Sequence, residues 1–182
     1  GNSVVLKHAP NVTGCALAVE DAFKNSLFPE ELFQVALADV DQTQRLITDE
    51  RVQRISFTGS NETGFKIAMV AGSVGKKCVL ELGGSDPFIV LNDAPLDLVV
   101  PQAVKSRFIN AGQSCISAKR FIVHSSMYDE FIERMIQEMR KLNLGDPLES
   151  SNQIGPLARR DLQSKVLNQI QSAKSSNNQL LF

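Results

Sequence analysis

The chain has 182 residues, 43% hydrophobic and 21% charged, a composition that is ordinary for a folded globular protein of one or two domains. A formal net charge of −1 gives no strong electrostatic field, and there is no run of about 18 apolar residues, so we expect neither nucleic-acid nor membrane partners. The three cysteines and two histidines show neither disulfide nor zinc spacing, which indicates a reducing, cytoplasmic compartment and no metal site.

The first 84 residues alternate between strand and helix patterns. Short β-branched runs predict buried strands, and apolar residues three and four apart predict helices. In chain order we predict a strand at 3–7, a helix at 11–26 capped by Asn11, a strand at 32–38, a helix at 41–48, a strand at 54–58, a helix ending near 72 and a strand at 77–82. Short links between such elements are typical of a parallel, Rossmann-like sheet covered on both faces.

The sequence GGSDP at 83–87 is the best candidate for a boundary, because two glycines permit a sharp turn and proline restricts the residue before it. Beyond it we predict strands at 88–91 and 120–124, and helices at 96–109 (interrupted or restarted by Pro101), 128–142 and 158–173. We therefore expect two consecutive α/β units, 1–84 and 85–182. Strand-like runs at both ends, SVVLK and LLF, predict that both units are incomplete parts of a longer chain.

Gly59 and Ser60 lie between a strand and a helix. The first turn of a helix has unpaired N–H groups and partial positive charge, so this turn could bind a phosphate, with Gly59 allowing close approach. The alternative is an ordinary turn in which Ser60 caps the helix. Lys7 ends the first strand, where ligands of open α/β sheets bind, although taken alone a lysine at a strand end is more often simply solvated.

Glu81 and Cys115 are the candidate catalytic residues. Glu81 lies in an apolar strand, where burial would favour its protonated form and suit a general base, unless its side chain points outward. Cys115 follows a glycine-containing loop and precedes two cations, so local N–H groups or cations could favour its thiolate. Cys15 and Cys78 have apolar patterns around them and are predicted to be core thiols.

Six segments resemble the aldehyde dehydrogenase superfamily, in the family's order, from residue 1 to about residue 160. They are GNSVVLK, ISFTGSNETG, LELGGSDPFIVLNDAPLD, FINAGQSC, YDEF and LGDPLESSNQIGPL. Glu81 in LELGG and Cys115 in GQSC match the two active-site motifs, and their separation also fits the family. Within the family the chain is most similar to bacterial succinate-semialdehyde dehydrogenases that accept NAD or NADP, and it corresponds to the central part of such a chain.

The resemblance implies a mechanism. The Cys115 thiolate would attack the aldehyde carbon, the Cys115 N–H and an asparagine outside this chain would stabilise the oxyanion, and Glu81 would activate water to release the acid. The residues implied in NAD or NADP binding are Lys7, His8, Ala9, Pro10, Gly59, Ser60 and Leu82. The resemblance further implies an NAD(P)-binding part at 1–84, a catalytic part at 85–182, and a homodimer or homotetramer at full length.

Position 10 bears on the choice between the two cofactors. Many NAD-preferring relatives carry glutamate at the position matching Pro10, where a carboxylate repels a 2′-phosphate, so we expect this chain to tolerate NADP. Arg107 is a candidate ligand for a substrate carboxylate. Two other readings stay open at this stage: a cysteine hydrolase or acyltransferase without nicotinamide, and a non-catalytic nucleotide-binding fold.

Overall fold

A computed structural model describes residues 1–176 and 178–181, and the chain divides into two compact units, Gly1–Leu82 and Gly83–Phe182. Both units combine helices with short parallel strands, which confirms the predicted α/β class. The strands form three separate parallel pairs in the described residues, rather than one continuous sheet within each unit. None of the helices in this described part of the chain is long and apolar enough to cross a membrane.

The first unit contains two strand pairs and three helices. Its elements are β1 (Val4–Leu6), a 3-10 turn (Pro10–Val12), α1 (Thr13–Lys24), β2 (Phe33–Val35), α2 (Val40–Thr48), β3 (Arg54–Thr58), α3 (Asn61–Ser73) and β4 (Lys77–Glu81). β1 pairs with β2, and β3 pairs with β4, both in parallel. Helix α1 packs beside β2, where Phe23 stacks on Phe33 with ring centroids 4.7 Å apart, and α3 packs on both β3 and β4.

Side chains close both ends of α2. Asp39 accepts a hydrogen bond from the Gln42 N–H at 2.7 Å, and the Gln42 side chain accepts one from the Asp39 N–H at 2.9 Å, so the two residues form a capping box. At the other end, Lys76 Nζ donates to the carbonyl oxygens of Ile47 (2.6 Å) and Asp49 (2.5 Å). These contacts satisfy backbone groups that the helix itself leaves unpaired.

Two predicted boundaries in this unit are wrong. The strand predicted at 32–38 is only Phe33–Val35, because its partner β1 has three residues. Asn11 does not cap α1: it lies inside the 3-10 turn that Pro10 begins, and the residue before α1 makes no side-chain cap. Proline favours such a first position because its φ angle is already close to the helical value.

The second unit contains one strand pair and three helices. Its elements are β5 (Pro87–Val90), α4 (Leu96–Phe108), an irregular 3-10 segment (Ile109–Gly112), β6 (Arg120–Val123), a 3-10 turn (Ser125–Met127), α5 (Tyr128–Met139) and α6 (Arg160–Ser175). β5 and β6 pair in parallel. The buried core lies between this pair and the helices α4 and α5, and consists of Val90, Leu96, Val100, Ala103 and Phe131.

Three predictions differ from this unit's structure. Helix α4 continues through Pro101, although the proline has no N–H to bond the carbonyl of Asp97. Helix α5 ends at Met139, three residues earlier than predicted. Residues 179–181 are not in a strand, and Phe182, the last residue of the predicted LLF strand, lies outside the described residues.

Candidate functional site

The carboxyl ends of β3 and β4 bring Gly59 and Glu81 together. Thr58 and Glu81 are register partners, and the N–H of Gly59 donates to the carbonyl oxygen of Glu81 at 3.0 Å. A Cβ atom at Gly59 would lie 2.5 Å from the Phe57 ring, so a glycine is needed here for the ring to keep its position. The backbone at this strand end is exposed, as close approach of a ligand requires.

Ser60 is the N-cap of α3. Its Oγ accepts the N–H of Thr63 at 3.3 Å and donates to the Thr63 hydroxyl at 3.0 Å. The capping role considered for Ser60 from the sequence is therefore present. It is compatible with an anion nearby, because the first turn of a 13-residue helix still carries partial positive charge.

Leu82 is half-buried against α3. A Cβ atom at Gly64 would lie 2.5 Å from Leu82 Cδ2, which shows how closely the leucine approaches the helix backbone. Glu81, the preceding residue, lies on the exposed face of β4 together with Lys77 and Val79. Of the two orientations considered for Glu81 from the sequence, the outward one is observed in this chain.

Lys7, His8, Ala9 and Pro10 follow the other strand pair of the first unit. Lys7 comes directly after β1 and is half-buried, whereas the next three residues are exposed. The Ala9 N–H donates to His8 Nδ1 at 2.9 Å, and the Pro10 carbonyl accepts the hydroxyl of Thr13 at 3.0 Å. These local bonds make residues 8–13 an ordered entry into α1.

Cys115 is exposed on a loop that begins with three consecutive left-handed residues. The φ angles are 51° at Asn110, 55° at Ala111 and 76° at Gly112. Only the glycine adopts this conformation without cost, so the surrounding contacts must hold the other two. Sparsely populated backbone conformations of this kind cluster at functional sites.

The other two cysteines are a check on the nucleophile assignment. Cys78 is half-buried in β4, whereas Cys15 is exposed, so the prediction that Cys15 is a core thiol is wrong. The fully buried residue of α1 is its neighbour Ala16, one position away on the helix. Exposure alone therefore does not distinguish Cys115 from Cys15; the strained loop does.

Lys119 and Gly84 both lie close to the carbonyl oxygen of Cys115. Lys119 Nζ donates to the carbonyl oxygens of Cys115 (3.1 Å) and Ser114 (3.4 Å). A Cβ atom at Gly84 would lie 3.6 Å from the Cys115 carbonyl oxygen, which is ordinary van der Waals contact. The second glycine of LELGG therefore lies beside the cysteine loop, within the same unit.

His124 is engaged away from the cysteine. Its Nδ1 lies 2.8 Å from the hydroxyl oxygen of Ser126 and accepts the Ser126 N–H at 3.3 Å, which caps the 3-10 turn after β6. A Cys-His hydrolase would need this imidazole beside Cys115 to activate the thiol. The observed contacts of His124 do not favour that alternative.

Arg107 has a role that the sequence did not reveal. From the last turn of α4, its Nη1 donates to the carbonyl of Ala118 at 2.7 Å and its Nη2 to the carbonyl of Gly112 at 2.9 Å. Partial burial lowers the pKa of the Arg107 guanidinium below its ordinary value, and arginine nevertheless stays a cation at neutral pH. The guanidinium that was a candidate ligand for a substrate carboxylate is thus bonded to backbone. The sequence feature that accompanies this contact is Gly112, a glycine at a position with a left-handed backbone.

Comparison of the whole sequence with models of known protein families identifies the family of this chain. The model of the aldehyde dehydrogenase family matches residues 1–182, which is the entire chain. The chain belongs to the aldehyde dehydrogenase family.

Several members of the aldehyde dehydrogenase family are similar to this chain over nearly its whole length. The succinate semialdehyde dehydrogenase (NAD(P)+) Sad of Escherichia coli strain K12 is 44% identical over 182 residues, 100% of this chain and 39% of the relative. The succinate-semialdehyde dehydrogenase (NADP+) of Mycobacterium leprae is 43% identical, over 97% of this chain and 38% of the relative.

A solved aldehyde dehydrogenase structure has the same fold over this region. The succinic semialdehyde dehydrogenase of Streptococcus pyogenes, in complex with NADP+, superposes with a TM-score of 0.95 at 36% identity. The match covers 100% of this chain and 40% of that structure. The chain thus spans about two fifths of the length of the family members it matches.

Proposed function

We propose that the full-length protein, a chain of the relatives' length that contains these residues, oxidises an aldehyde to a carboxylic acid with NAD+ or NADP+. The observation that supports this most directly is Cys115, exposed on a loop of left-handed residues inside a sequence that belongs to the aldehyde dehydrogenase family. The relatives named for succinate semialdehyde make that aldehyde our proposed substrate.

The proposed chemistry assigns separate steps to Cys115 and Glu81. The Cys115 sulfur attacks the aldehyde carbon, and a thiohemiacetal forms on the cysteine. NAD(P)+, when bound, would supply the acceptor for the hydride that leaves the former aldehyde carbon, and the product held on Cys115 would be a thioester. Water that Glu81 activates hydrolyses the thioester and releases the acid and the thiol. Covalent catalysis of this kind divides one difficult oxidation into two easier steps.

The residues available for NAD(P)+ fit a dinucleotide in chemical type. Gly59 leaves the strand end open, and the first turn of α3 with Ser60 offers partial positive charge to a pyrophosphate. We assign Lys7, His8, Ala9 and Pro10 to the adenosine side and Leu82 to the nicotinamide side. On this proposal residues 1–84 belong to the NAD(P)-binding domain and 85–182 to the catalytic domain.

The cellular setting is also part of the proposal. A cytoplasmic enzyme is consistent with three cysteines that are all free thiols. We propose a homodimer or homotetramer at full length.

The 182 residues alone should turn over little or no aldehyde, because they span 39% of a relative's length and one missing oxyanion donor commonly lowers kcat by about 10²–10³.

The test is to replace Cys115 in the full-length protein and follow reduced cofactor and acid with succinate semialdehyde. Cys115→Ser should abolish both products, whereas Cys15→Ser, which removes another exposed thiol, should leave both unchanged. Alkylation resolved by peptide mass spectrometry should label Cys115 fastest of the three cysteines. Cys115-dependent hydrolysis of an added ester, with no oxidation of succinate semialdehyde in the presence of NAD(P)+, would support a cysteine hydrolase instead, and unchanged oxidation by Cys115→Ser would reject the proposal.

A further inference from the structure

Arg107 connects the two ends of the loop that carries Cys115. The carbonyls that it binds belong to Gly112 and Ala118, and the five residues between them have Cys115 at their centre. One guanidinium therefore closes the segment 113–117 from both sides. Within that segment Cys115 is exposed, so its side chain has little packing of its own to hold it.

Other bonds hold only parts of this loop. The Ala118 N–H donates to the carbonyl and, more weakly, to the hydroxyl of Ser106, at 3.2 and 3.3 Å. Lys119 binds the Cys115 carbonyl from an exposed position, where water competes for the same bond. At the beginning of the loop, Asn110 and Ala111 adopt conformations that disfavour the folded loop unless contacts compensate.

The chemistry of arginine suits this task better than that of other cations. Its planar fork presents two Nη groups at fixed separation, so it can bond two carbonyls at once, whereas lysine offers a compact charge on a flexible stem. Bonds to a charged donor in a partly buried position are stronger than neutral ones. Loss of the guanidinium would leave both carbonyls without this donor.

We propose that Arg107 is a positioning residue for the nucleophile: it ties Gly112 to Ala118 and so holds the Cys115 loop in one reactive arrangement. The consequence for catalysis rests on the function proposed above. The proposal that Arg107 orders the loop does not rest on that function, because the order of the loop can be measured without substrate.

The test is amide hydrogen exchange, read by mass spectrometry on peptides covering 113–117 in the full-length protein. Arg107→Met should accelerate exchange in this segment by about tenfold, the effect of losing a charge-assisted hydrogen bond. Arg107→Lys should give an intermediate acceleration. Peptides from α5 should exchange as before. Arg51→Met is the matched control, since Arg51 binds the Asp49 carboxylate in the other unit.

Two further readouts separate positioning from a general loss of structure. Methylguanidinium at low, non-denaturing concentration should slow loop exchange in Arg107→Met and restore part of its activity. In steady-state kinetics, kcat should fall while the KM for NAD(P)+ is unchanged. Unchanged loop exchange in both Arg107 variants, or equal acceleration in α5, would overturn the proposal. If the exchange result holds but Cys115→Ser remains active, the proposed function fails and the structural role of Arg107 stands.

Discussion

Gly112 and Gly75 have nearly the same backbone angle and very different surroundings. Their φ angles are 76° and 70°, in the left-handed region that disfavours a side chain. A Cβ atom at Gly75 would meet nothing within 4 Å, whereas at Gly112 it would collide with Nη2 of Arg107 and lie 3.2 Å from the Arg107 carbonyl oxygen. The pair therefore separates the conformational cost of alanine from the cost of displacing Arg107.

We predict that Gly75→Ala lowers the free energy of unfolding by about 1 kcal/mol, the left-handed penalty for one residue. Gly112→Ala should cost roughly 1–3 kcal/mol more, because a charge-assisted bond is lost as well. Urea denaturation of both variants measures the difference. Equal losses of stability would mean that the Arg107 contact with Gly112 has no energetic importance.

Pro10 permits a prediction about cofactor choice. It is exposed at the start of the 3-10 turn after Lys7, on the side that we assign to adenosine. Pro10→Glu in the full-length protein should raise the KM for NADP+ relative to NAD+ by about tenfold, because a carboxylate repels the 2′-phosphate. Pro10→Gln is the control, since it has similar size without charge. No change in the NADP+/NAD+ ratio of kcat/KM with Pro10→Glu would contradict the assignment.

The sequence separates Cys115, as a candidate nucleophile, from Cys15, as a predicted core thiol, and the structure contradicts the second of these predictions. Composition alone set Cys115 apart from Cys15, which a helical period placed on an apolar face. The structure buries the adjacent Ala16 instead, and a shift of one residue turns a helical side chain by about 100°. The Arg107 contacts could not be predicted, because they join residues across a loop whose three left-handed angles are not visible in local composition.

At the scale of elements, the order of strands and helices follows from local patterns, while their ends depend on distant partners. Residues 32–38 have strand composition throughout, but pairing stops where β1 stops. Helix α2 was predicted to begin at Asp41. It begins one residue earlier, at Val40, because Asp39 is the N-cap and forms a capping box with Gln42. The breadth of each sheet was likewise not predictable, since it requires strands that only tertiary packing brings together.

The end of α2 links stability to pH. Asp49 is the C-cap, and its carboxylate accepts hydrogen bonds from Nε (2.9 Å) and Nη2 (2.7 Å) of Arg51 and from the Arg51 N–H (3.0 Å). These bonds hold the pKa of the Asp49 carboxyl well below its usual range, and the bonds from the Arg51 side chain have the largest effect. A carboxyl group whose pKa is lower in the folded state stabilises the fold at pH values above its unfolded-state pKa. This stabilisation is lost as the pH falls through the folded-state pKa.

We therefore predict that Asp49→Asn is less stable than the unchanged protein at neutral pH, and that this deficit shrinks as the pH falls below about 4, the unperturbed aspartate pKa. The measurement is urea denaturation across an acidic pH series. In an Arg51→Met background, Asp49→Asn should show much weaker pH dependence, because the main cause of the lowered pKa is gone. A deficit that is constant across the series would show that this pair is not linked to protonation.

At the scale of the whole molecule, the described fold leaves an unusual amount of surface in solvent. The accessible area is 13521 Å² for a mass of 20.0 kDa. Even two separate monomeric domains of half this mass would together expose only about 10,500 Å² by the usual scaling. Part of the excess is apolar and lies on strands: Val79 of β4 is 58% exposed and Ile89 of β5 is 60% exposed.

Parallel strands are normally covered on both faces, so exposed valine and isoleucine on them are surfaces that other polypeptide segments bury in complete α/β domains. We predict that the 182-residue chain by itself binds an environment-sensitive apolar dye and self-associates, measured by fluorescence and by light scattering after gel filtration. Ile89→Lys should reduce both signals, because a charge on the strand opposes edge and face association. Leu148→Lys is the control, since Leu148 is 90% exposed but lies in a loop outside the strands. A strictly monomeric chain without dye binding would mean that this apolar strand face is tolerated in water.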